Sequence, residues 1–338
     1  MFARRALKIA AVSAGLVVLA GCASAPAKPT PTPTVSPAPV DPLVPAPLTG
    51  LNVRASALKH SSLAAKVDNH EDARPQWGLN QTDVVFEELV EGGLTRYVAV
   101  WHSQVPSVIG PVRSIRPMDP DIITPFLGIV AYSGGQQKFV QMMQNTPVYN
   151  AVHGQADTEA FMYRDDTKDA PHNVAVKAQA LIAAHSDLAA PQKMFAFSFD
   201  QQGVFSSWTG KPANRIDVTF SDSRFPSWSY DPTSRKYLRS QEGEPDFDSA
   251  KKQIAATNLI VMMVEIDNTY GYVPKTVLVT SGTGYIATHG RYTPMKWSKK
   301  SAGEPVVYTT EDGRPITLSP GNTWIEMPPT YGGVSFVG

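Results

Sequence analysis

The sequence predicts an α+β protein in which an N-terminal α/β domain with a mixed sheet packs against a mostly-β C-terminal domain. Between residues 48 and 190, strand-like runs rich in β-branched and aromatic residues alternate with helix-like runs. Between residues 191 and 338, short strand-like runs are separated by turn residues. The link near residues 186–194 is short, so we expect the two domains to pack together.

The N-terminal half opens with strands and closes with a helix. Residues 83–101 read as two strands joined by Glu91-Gly92-Gly93. The apolar run at 126–132 indicates another strand, and residues 136–144 have a helical pattern. Residues 173–188 are amphipathic, which predicts one longer helix.

The C-terminal half reads as a series of short strands. Breakers such as Asp231-Pro232 and Pro320-Gly321 separate them, which favours a sandwich or a barrel. The strand-like runs are FAFSF, NRIDVTF, SWSY, KYLRS, NLIVMMVEI, KTVLVTS, GYIATH, VVYTT, PITL and NTWIEM.

Residues 1–22 read as a lipoprotein signal peptide. Basic residues (Arg4, Arg5 and Lys8) precede an apolar run that ends in Leu-Ala-Gly-Cys22, a sequence that matches the bacterial lipobox. The run is shorter than the roughly 20 residues that a permanent transmembrane helix needs. We therefore expect a palmitate-type lipid on Cys22 to anchor the mature protein at the extracytoplasmic face of the bacterial cell membrane.

Residues 23–47 predict a tether between this anchor and the folded body. Nine of these 25 residues are Pro, with Thr, Ala and Ser between them. Such a segment is extended at roughly 3.1 Å per residue and would reach about 75 Å. Its composition is not expected to build a packed core.

The cysteine count and the net charge exclude several classes of protein. Cys22 is the only cysteine in 338 residues, so disulfides, thiol catalysis and cysteine-ligated zinc are excluded. The chain has no net charge, and it has no basic stripe, so we expect no nucleic-acid partner.

The loop GPVRSIRPMD at residues 110–119 predicts an anion-binding site. It places Arg113 and Arg116 three residues apart before a helix start at Asp119-Pro120. Arginine suits planar recognition of carboxylate or phosphate, and a glycine-rich turn that enters a helix offers backbone N–H groups to an anion. The predicted ligand-binding residues are Arg74, Arg96, Arg113, Arg116, Ser133, Gly134 and Gly135.

An alternative interpretation makes the arginines structural. If Gly92-Gly93 is a two-residue turn, Glu87, Glu91, Asp83 and Arg96 share one face of the hairpin. Arg96 would then pair with Glu87 and Glu91 as part of an ion cluster. The sequence leaves open whether the arginines face a pocket or these carboxylates.

Several ordered motifs carry a family resemblance. The motifs are Val67-Asp68-Asn69-His70, Arg74-Pro75-Gln76, Glu91-Gly92-Gly93, Gly110-Pro111-Val112-Arg113-Ser114, Pro171-His172-Asn173 and Leu318-Ser319-Pro320-Gly321-Asn322-Thr323-Trp324-Ile325. Over residues 50–330 the chain thus resembles the YerB-like bacterial lipoproteins. The resemblance implies an N-terminal α/β domain, a C-terminal β domain and no settled activity.

Metal and catalytic sites have less sequence support. Asp68, His70 and His153 are candidate metal ligands, but no HExxH or similarly tight spacing is present. Asp68, Asp83 and His172 are candidate catalytic groups, and no G-x-S-x-G elbow is present. We therefore predict no cofactor, with a divalent metal as the alternative.

Three hypotheses about function remain open. The first is a lipid-anchored envelope protein that binds a phosphate-bearing ligand, such as an envelope phosphopolymer or a lipid carrier. The second is a metal-assisted transferase or hydrolase acting on phosphate-linked glycans. The third is a non-enzymatic scaffold for cell-wall synthesis proteins.

Overall fold

A computed structural model describes residues 40–199 and 210–338 of the chain. Asp41–Gly338 form one unit. The predicted signal peptide, the lipobox with Cys22 and most of the predicted tether lie outside the described residues.

The described residues are mostly strands. The strands are β1 Leu43–Pro45, β2 Asn52–Arg54, β3 Leu63–Asp68, β4 Val84–Leu89, β5 Thr95–Trp101, β6 Val108–Ile109, β7 Ile129–Tyr132, β8 Tyr149–Val152, β9 Met162–Arg164, β10 Val174–Lys177, β11 Ala196–Phe197, β12 Lys211–Pro212, β13 Arg215–Thr219, β14 Ser227–Asp231, β15 Lys236–Gln241, β16 Glu244–Pro245, β17 Ala255–Ala256, β18 Asn258–Met262, β19 Ile266–Asp267, β20 Lys275–Thr276, β21 Ser281–Thr288, β22 Arg291–Ser298, β23 Val307–Thr309, β24 Thr317–Leu318, β25 Thr323–Met327 and β26 Gly333–Val337. The helices are α1 Asp119–Ile123, α2 Gln137–Gln144 and α3 Ala178–Ala184, with short 3-10 turns at Ala55–Leu58, Glu71–Ala73, Leu79–Gln81, Glu91–Gly93 and Thr124–Phe126.

Among the described residues, one mixed sheet of eleven strands runs through both halves of the chain. Its order is β12-β22-β21-β18-β25-β4-β5-β3-β7-β8, with β23 paired to β22. Strands β18, β25 and β4 run parallel to one another, so a C-terminal strand lies directly beside an N-terminal one. The predicted mixed sheet is confirmed, and it extends into the C-terminal half.

The two faces of this sheet are buried under different layers. Alternate residues of β4 and β5 point to opposite faces, as strand geometry requires. On one face Val84 and Val98 pack with residues of α1 and α2, among them Ile122 and Phe139. On the other face the main sheet meets α3, β10 and a separate antiparallel sheet built around β13, β14 and β15. The predicted mostly-β C-terminal half is confirmed.

A buried ionic cluster joins the second sheet to the main one. Arg239 of β15 is fully buried; its Nη2 lies 2.8 Å from Glu87 Oε2, and its Nη1 contacts Asp246. Trp228 Nε1 donates to Glu326 Oε1 at 2.7 Å. Burial, followed by repulsion from Glu87, raises the pKa of Glu326 well above its usual range. We infer that Glu326 is protonated at neutral pH, which limits the repulsion within the cluster.

Two predicted elements differ from the structure. The long helix predicted at 173–188 is half strand, because the β-branched residues of β10 pair with β6 and β9 before α3 begins. The predicted tether overlaps β1, which pairs with β2, and Ala46 and Leu48 are buried. The folded body therefore begins before residue 48.

None of the helices in the described residues has the length and apolar character that a membrane crossing requires.

Candidate functional site

The end of strand β4 opens into a cavity of about 270 Å³, which we call the arginine cavity. It forms where the C-terminal end of β3, the β4–β5 connection and the loop at 110–119 meet. Its lining residues are Asp68, His70, Val90, Glu91, Leu94, Thr95, Arg96, Arg113, Arg116 and His172.

Backbone hydrogen bonds place the 110–119 loop over the end of the sheet. Arg113 N donates to Lys66 O at 2.7 Å, and Ser133 N donates to Arg113 O at 3.0 Å. Ile115 N donates to Gly134 O at 3.0 Å. The loop is thus held between β3 and the Ser133-Gly134 turn, with both arginine side chains in the cavity.

Asp68 lies at the centre of the polar contacts in the cavity. Its Oδ2 lies 2.7 Å from His172 Nδ1 and 3.2 Å from Arg113 Nε. Its Oδ1 lies 3.9 Å from Arg96 Nε, at the edge of ion-pair range. One buried carboxylate therefore faces two guanidinium groups and an imidazole.

Arg116 has its own carboxylate partner. Its Nε donates to Glu91 Oε2 at 2.8 Å, and its Nη1 donates to the carbonyl oxygens of Ser114 and Ile115 at 3.2 and 3.0 Å. Arg96 Nη1 donates to the same Ser114 oxygen at 3.1 Å. The two guanidinium groups thus meet at one carbonyl oxygen.

Positive charge exceeds negative charge in the cavity. Three arginines face two carboxylates, Asp68 and Glu91, which leaves a formal excess of one positive charge when the histidines are neutral. Burial, followed by repulsion from Arg116, lowers the pKa of Arg96 to about 10. Buried Arg113 Nε has no aligned hydrogen-bond acceptor among the described residues.

A histidine pair forms one wall of the cavity. The rings of His70 and His172 stack with centroids 4.3 Å apart and planes 23° apart. One ligand atom each from His70, Asp72 and His172 lies within 4.8 Å of the others, a spacing that a metal ion could bridge. Asp72 was not predicted from the sequence, although it lies only two residues after His70.

A second group of buried charged residues lies behind the cavity, and it too was not predicted from the sequence. Fully buried Lys66 contacts Glu88, and its Nζ lies 2.8 Å from Asp119 Oδ1. Burial lowers the pKa of Lys66 to about 8. Asp119 also accepts from Arg116 N, so this cluster holds the loop from beneath.

Four of the predicted ligand-binding residues do not line the cavity. Arg74 Nη1 lies 3.3 Å from Glu242 Oε2, on a different part of the surface. Ser133, Gly134 and Gly135 support the loop through its backbone and through Ile115. Arg96, Arg113 and Arg116 do converge there.

Only some of the predicted metal-binding and catalytic residues line the arginine cavity. Asp68, His70 and His172 line the cavity, whereas Asp83 lies at the opposite end of β4. His153 is absent from the cavity wall, and burial, followed by Arg164, lowers its pKa. The predicted set of Asp68, His70 and His153 is therefore not brought together.

The predicted hairpin register was wrong by one residue. The β4–β5 connection contains five residues, closed by a hydrogen bond from Val90 N to Leu94 O at 2.8 Å. Glu88 consequently pairs with Arg96, and Glu87 pairs with Tyr97. Glu87 faces Arg239 on the opposite side of the sheet, so the predicted Glu87–Arg96 pair does not form.

Comparison with known families identifies both halves of the chain. Residues 48–191 match "Protein of unknown function (DUF3048) N-terminal domain", and residues 216–325 match the corresponding C-terminal domain. The chain belongs to the DUF3048 family. The predicted two-domain family arrangement is confirmed.

The chain is also similar to a relative of comparable length and to a solved structure. The chain is 27% identical over 297 residues to "Putative lipoprotein YerB" of Bacillus subtilis (strain 168), covering 84% of this chain and 86% of the relative. The crystal structure of the YerB protein from Bacillus subtilis matches with a TM-score of 0.74 and 25% identity, covering 86% of this chain and 99% of that one. The predicted resemblance to YerB-like proteins is confirmed.

Proposed function

We propose that this protein is a lipid-anchored envelope protein that binds a phosphate-bearing ligand in the arginine cavity. The observation that carries the proposal is the excess of guanidinium groups over carboxylates, three against two, in a partly buried cavity. An oxyanion there would relieve the repulsion between Arg96 and Arg116 that helps to lower the pKa of Arg96.

Phosphate suits the donors that the cavity offers. Arginine forms short, charge-assisted and often bidentate hydrogen bonds with phosphate oxygens. Arg96 lies at the limit of ion-pair distance from its nearest carboxylate, and Arg113 Nε is not aligned with an acceptor among the described residues. The volume of about 270 Å³ accommodates a phosphate or pyrophosphate group and leaves the rest of a larger ligand outside.

The N-terminal sequence supports the location. The Leu19-Ala20-Gly21-Cys22 ending agrees with a lipid anchor, and the relative YerB is named a lipoprotein. Such an anchor would present the cavity to envelope phosphopolymers and to lipid carriers outside the membrane.

The proposal is tested with the full-length protein in detergent. Melting temperatures are measured with phosphate, pyrophosphate and a short-chain polyprenyl pyrophosphate, with and without Mg²⁺. An anion at 100 times its dissociation constant should add about 2.7 kcal/mol to the free energy of unfolding. The Arg113→Gln/Arg116→Gln variant should lose this shift, measured against its own baseline.

A matched control removes two exposed cations elsewhere. Arg54→Gln/Lys59→Gln makes the same charge change at residues without an ion pair to any described residue. This control should keep the anion-induced shift. If no anion raises the melting temperature of the wild type, and the Arg113/Arg116 variant melts several degrees lower, the arginines are structural and the scaffold hypothesis is favoured.

A metal-assisted activity is a second candidate because of the histidine pair. His172 Nδ1 lies 2.7 Å from Asp68 Oδ2, and a carboxylate contact of this kind on one ring nitrogen orients the other nitrogen, Nε2, in many metal-binding histidines. His70 and Asp72 supply the other two ligand atoms. Calorimetric titration with Zn²⁺ and Mn²⁺ should show one site in the wild type and none in His172→Gln. Absence of metal binding to the wild type would remove this candidate.

A further inference from the structure

A wider cleft, of about 520 Å³, opens at the end of β4 opposite the arginine cavity. Strands β18, β25 and β4 run parallel, and the residues that precede them, Thr257, Asn322 and Asp83, all line this cleft. The six residues of β4 separate the two sites by roughly 20 Å, at about 3.3 Å per residue. The cleft is therefore a separate site.

Uncharged hydrogen-bonding groups dominate its wall. Hydroxyl and carboxamide side chains offer both donors and acceptors without a net charge. Much of the sequence motif Leu318–Ile325 that the proposed function does not use lies in this wall. The hydroxyl and carboxamide lining residues are Thr49, Asn80, Gln81, Thr82, Ser103, Gln104, Ser198, Ser234, Thr257, Ser319 and Asn322.

The floor of the cleft is held in place by hydrogen bonds. Ser319 N donates to Asn258 Oδ1 at 3.1 Å, Asn258 Nδ2 donates to Ser319 O at 2.9 Å, and Ser319 Oγ lies 2.5 Å from His289 Nε2. Both oxygens of buried Asp83 accept from Ser103, at 2.5 and 2.7 Å. The Asp83 carboxylate thus already has hydrogen-bond partners, and these contacts preorganise the floor.

The rim of the cleft carries an aromatic ring and charged side chains, unlike its floor. The Phe199 side chain is 64% exposed, so one aromatic face is available to a ligand. Arg235 and Lys236 line the same cleft and form no ion pair with the described residues. Gln104 is exposed, and its side chain donates no hydrogen bond to a described residue. Among the described residues, the rim therefore offers one apolar surface and two cations that form no ion pair.

We propose that this cleft binds a saccharide that carries an acidic substituent. A sugar ring presents hydroxyl and amide groups around its edge, which match the hydroxyl and carboxamide floor. Its C–H face packs on an aromatic ring such as Phe199. A carboxylate on the sugar would reach Arg235 and Lys236 through charge-assisted hydrogen bonds.

The experiment is calorimetric titration of the full-length protein in detergent with two disaccharides. One is N-acetylglucosaminyl-N-acetylmuramic acid, which carries a carboxylate, and the other is neutral di-N-acetylchitobiose. We expect the acidic sugar to bind about tenfold more tightly. Arg235→Gln/Lys236→Gln should abolish this preference while leaving weak binding of both sugars. Gln104→Trp, at an exposed position in the mouth of the cleft, should abolish both.

Two controls separate this site from the arginine cavity. Arg54→Gln/Lys59→Gln should retain the tenfold preference, and so should Arg113→Gln/Arg116→Gln, whatever its effect on phosphate binding. The proposal is overturned if neither sugar binds the wild type at millimolar concentration. It is also overturned if the Gln104→Trp variant still binds the sugars, or if the Arg113→Gln/Arg116→Gln variant no longer binds them.

Discussion

Asp68 Oδ2 and His172 Nδ1 lie 2.7 Å apart, although 104 positions separate the two residues in the chain. The contact ties the end of β3 to the segment that leads into β10. The same carboxylate lies 3.2 Å from Arg113 Nε. Asp68 therefore organises the arginine cavity and also neutralises part of its charge.

Replacing Asp68 should separate these two roles. Asp68→Asn should lower the free energy of unfolding by about 1–3 kcal/mol, because a buried charge-assisted interaction is lost. The same change raises the formal excess of positive charge, so pyrophosphate should raise the melting temperature of the variant more than that of the wild type. Thermal unfolding with and without pyrophosphate measures both effects.

Asp72→Asn provides the control for Asp68→Asn. It removes a nearby carboxylate that contacts His70 but forms no ion pair with the three arginines of the cavity. Asp72→Asn should therefore change the pyrophosphate-induced shift in melting temperature less than Asp68→Asn does. A smaller pyrophosphate shift in Asp68→Asn than in the wild type would show that the Asp68 carboxylate assists the ligand and does not compete with it.

Lys66→Met should be strongly destabilising. The side chains of Lys66, Glu88 and Asp119 are fully buried or nearly so, and loss of the cation leaves two carboxylates without their partner. We expect a loss of about 3–5 kcal/mol in urea unfolding. Lys275→Met, at a partly exposed pair with Asp121, should change stability by less than about 1 kcal/mol.

A triple variant checks the cause of that loss. Adding Glu88→Gln and Asp119→Asn to Lys66→Met removes the unpaired charges and should recover part of the stability. If the triple variant is no more stable than Lys66→Met, packing of the lysine stem and not charge accounts for the loss.

Asp83 should give stability a measurable pH dependence. Burial, opposed by hydrogen bonds from Ser103, raises the pKa of Asp83 from 3.8 to about 6. The folded state therefore binds the proton more tightly than the unfolded state, and stability falls as pH rises between about 4 and 6. The shift of about two pKa units corresponds to about 3 kcal/mol.

The Asp83→Asn variant isolates this contribution. Relative to the variant, the wild type should lose about 2 kcal/mol between pH 4 and pH 7, most of the full effect, since the amide does not titrate. Urea unfolding of both proteins at several pH values gives the difference directly. A difference that stays constant over this range would show that Asp83 does not titrate there.

Gly284 should resist substitution because of the neighbouring strand. A Cβ at Gly284 would lie 2.0 Å from Val261 O, which belongs to the backbone of β18 and cannot move independently. Gly284→Ala should therefore cost about 3 kcal/mol. Gly333→Ala, in β26 with no atom within 4 Å of its Cβ position, should change stability by less than about 0.5 kcal/mol. Equal effects of the two changes would contradict the close approach.

Local sequence patterns predicted the positions of the strands better than the register in which the strands pair. The β-branched runs of β4 and β5 indicated strands correctly, because buried strands select such residues. The register between them depended on whether Gly92-Gly93 formed the whole connection, and a five-residue connection fits the same sequence. A shift of one residue moved Glu87 to the other face of the sheet, as period-2 geometry dictates.

The candidate site was predictable only in part for a similar reason. Arg113 and Arg116 were identified because two arginines in one tight loop are unusual in a mostly apolar segment. The partner of Glu87, Arg239, lies 152 positions away, and no local pattern connects them. The roles of Lys66 and Asp119 were equally hidden, since buried charges are recognised by their partners in space.

The position of β25 has a consequence for the order in which the chain can fold. Residues 323–327 supply the strand between β4 and β18, in a chain of 338 residues. During synthesis β4 is made long before this neighbour, so one of its two backbone edges remains unpaired until residues 323–327 have been made. Such late, long-range pairing slows folding and leaves the nascent chain open to proteases and to association with other strands. Loss of residues 323–327 would therefore leave both β4 and β18 with an unpaired edge.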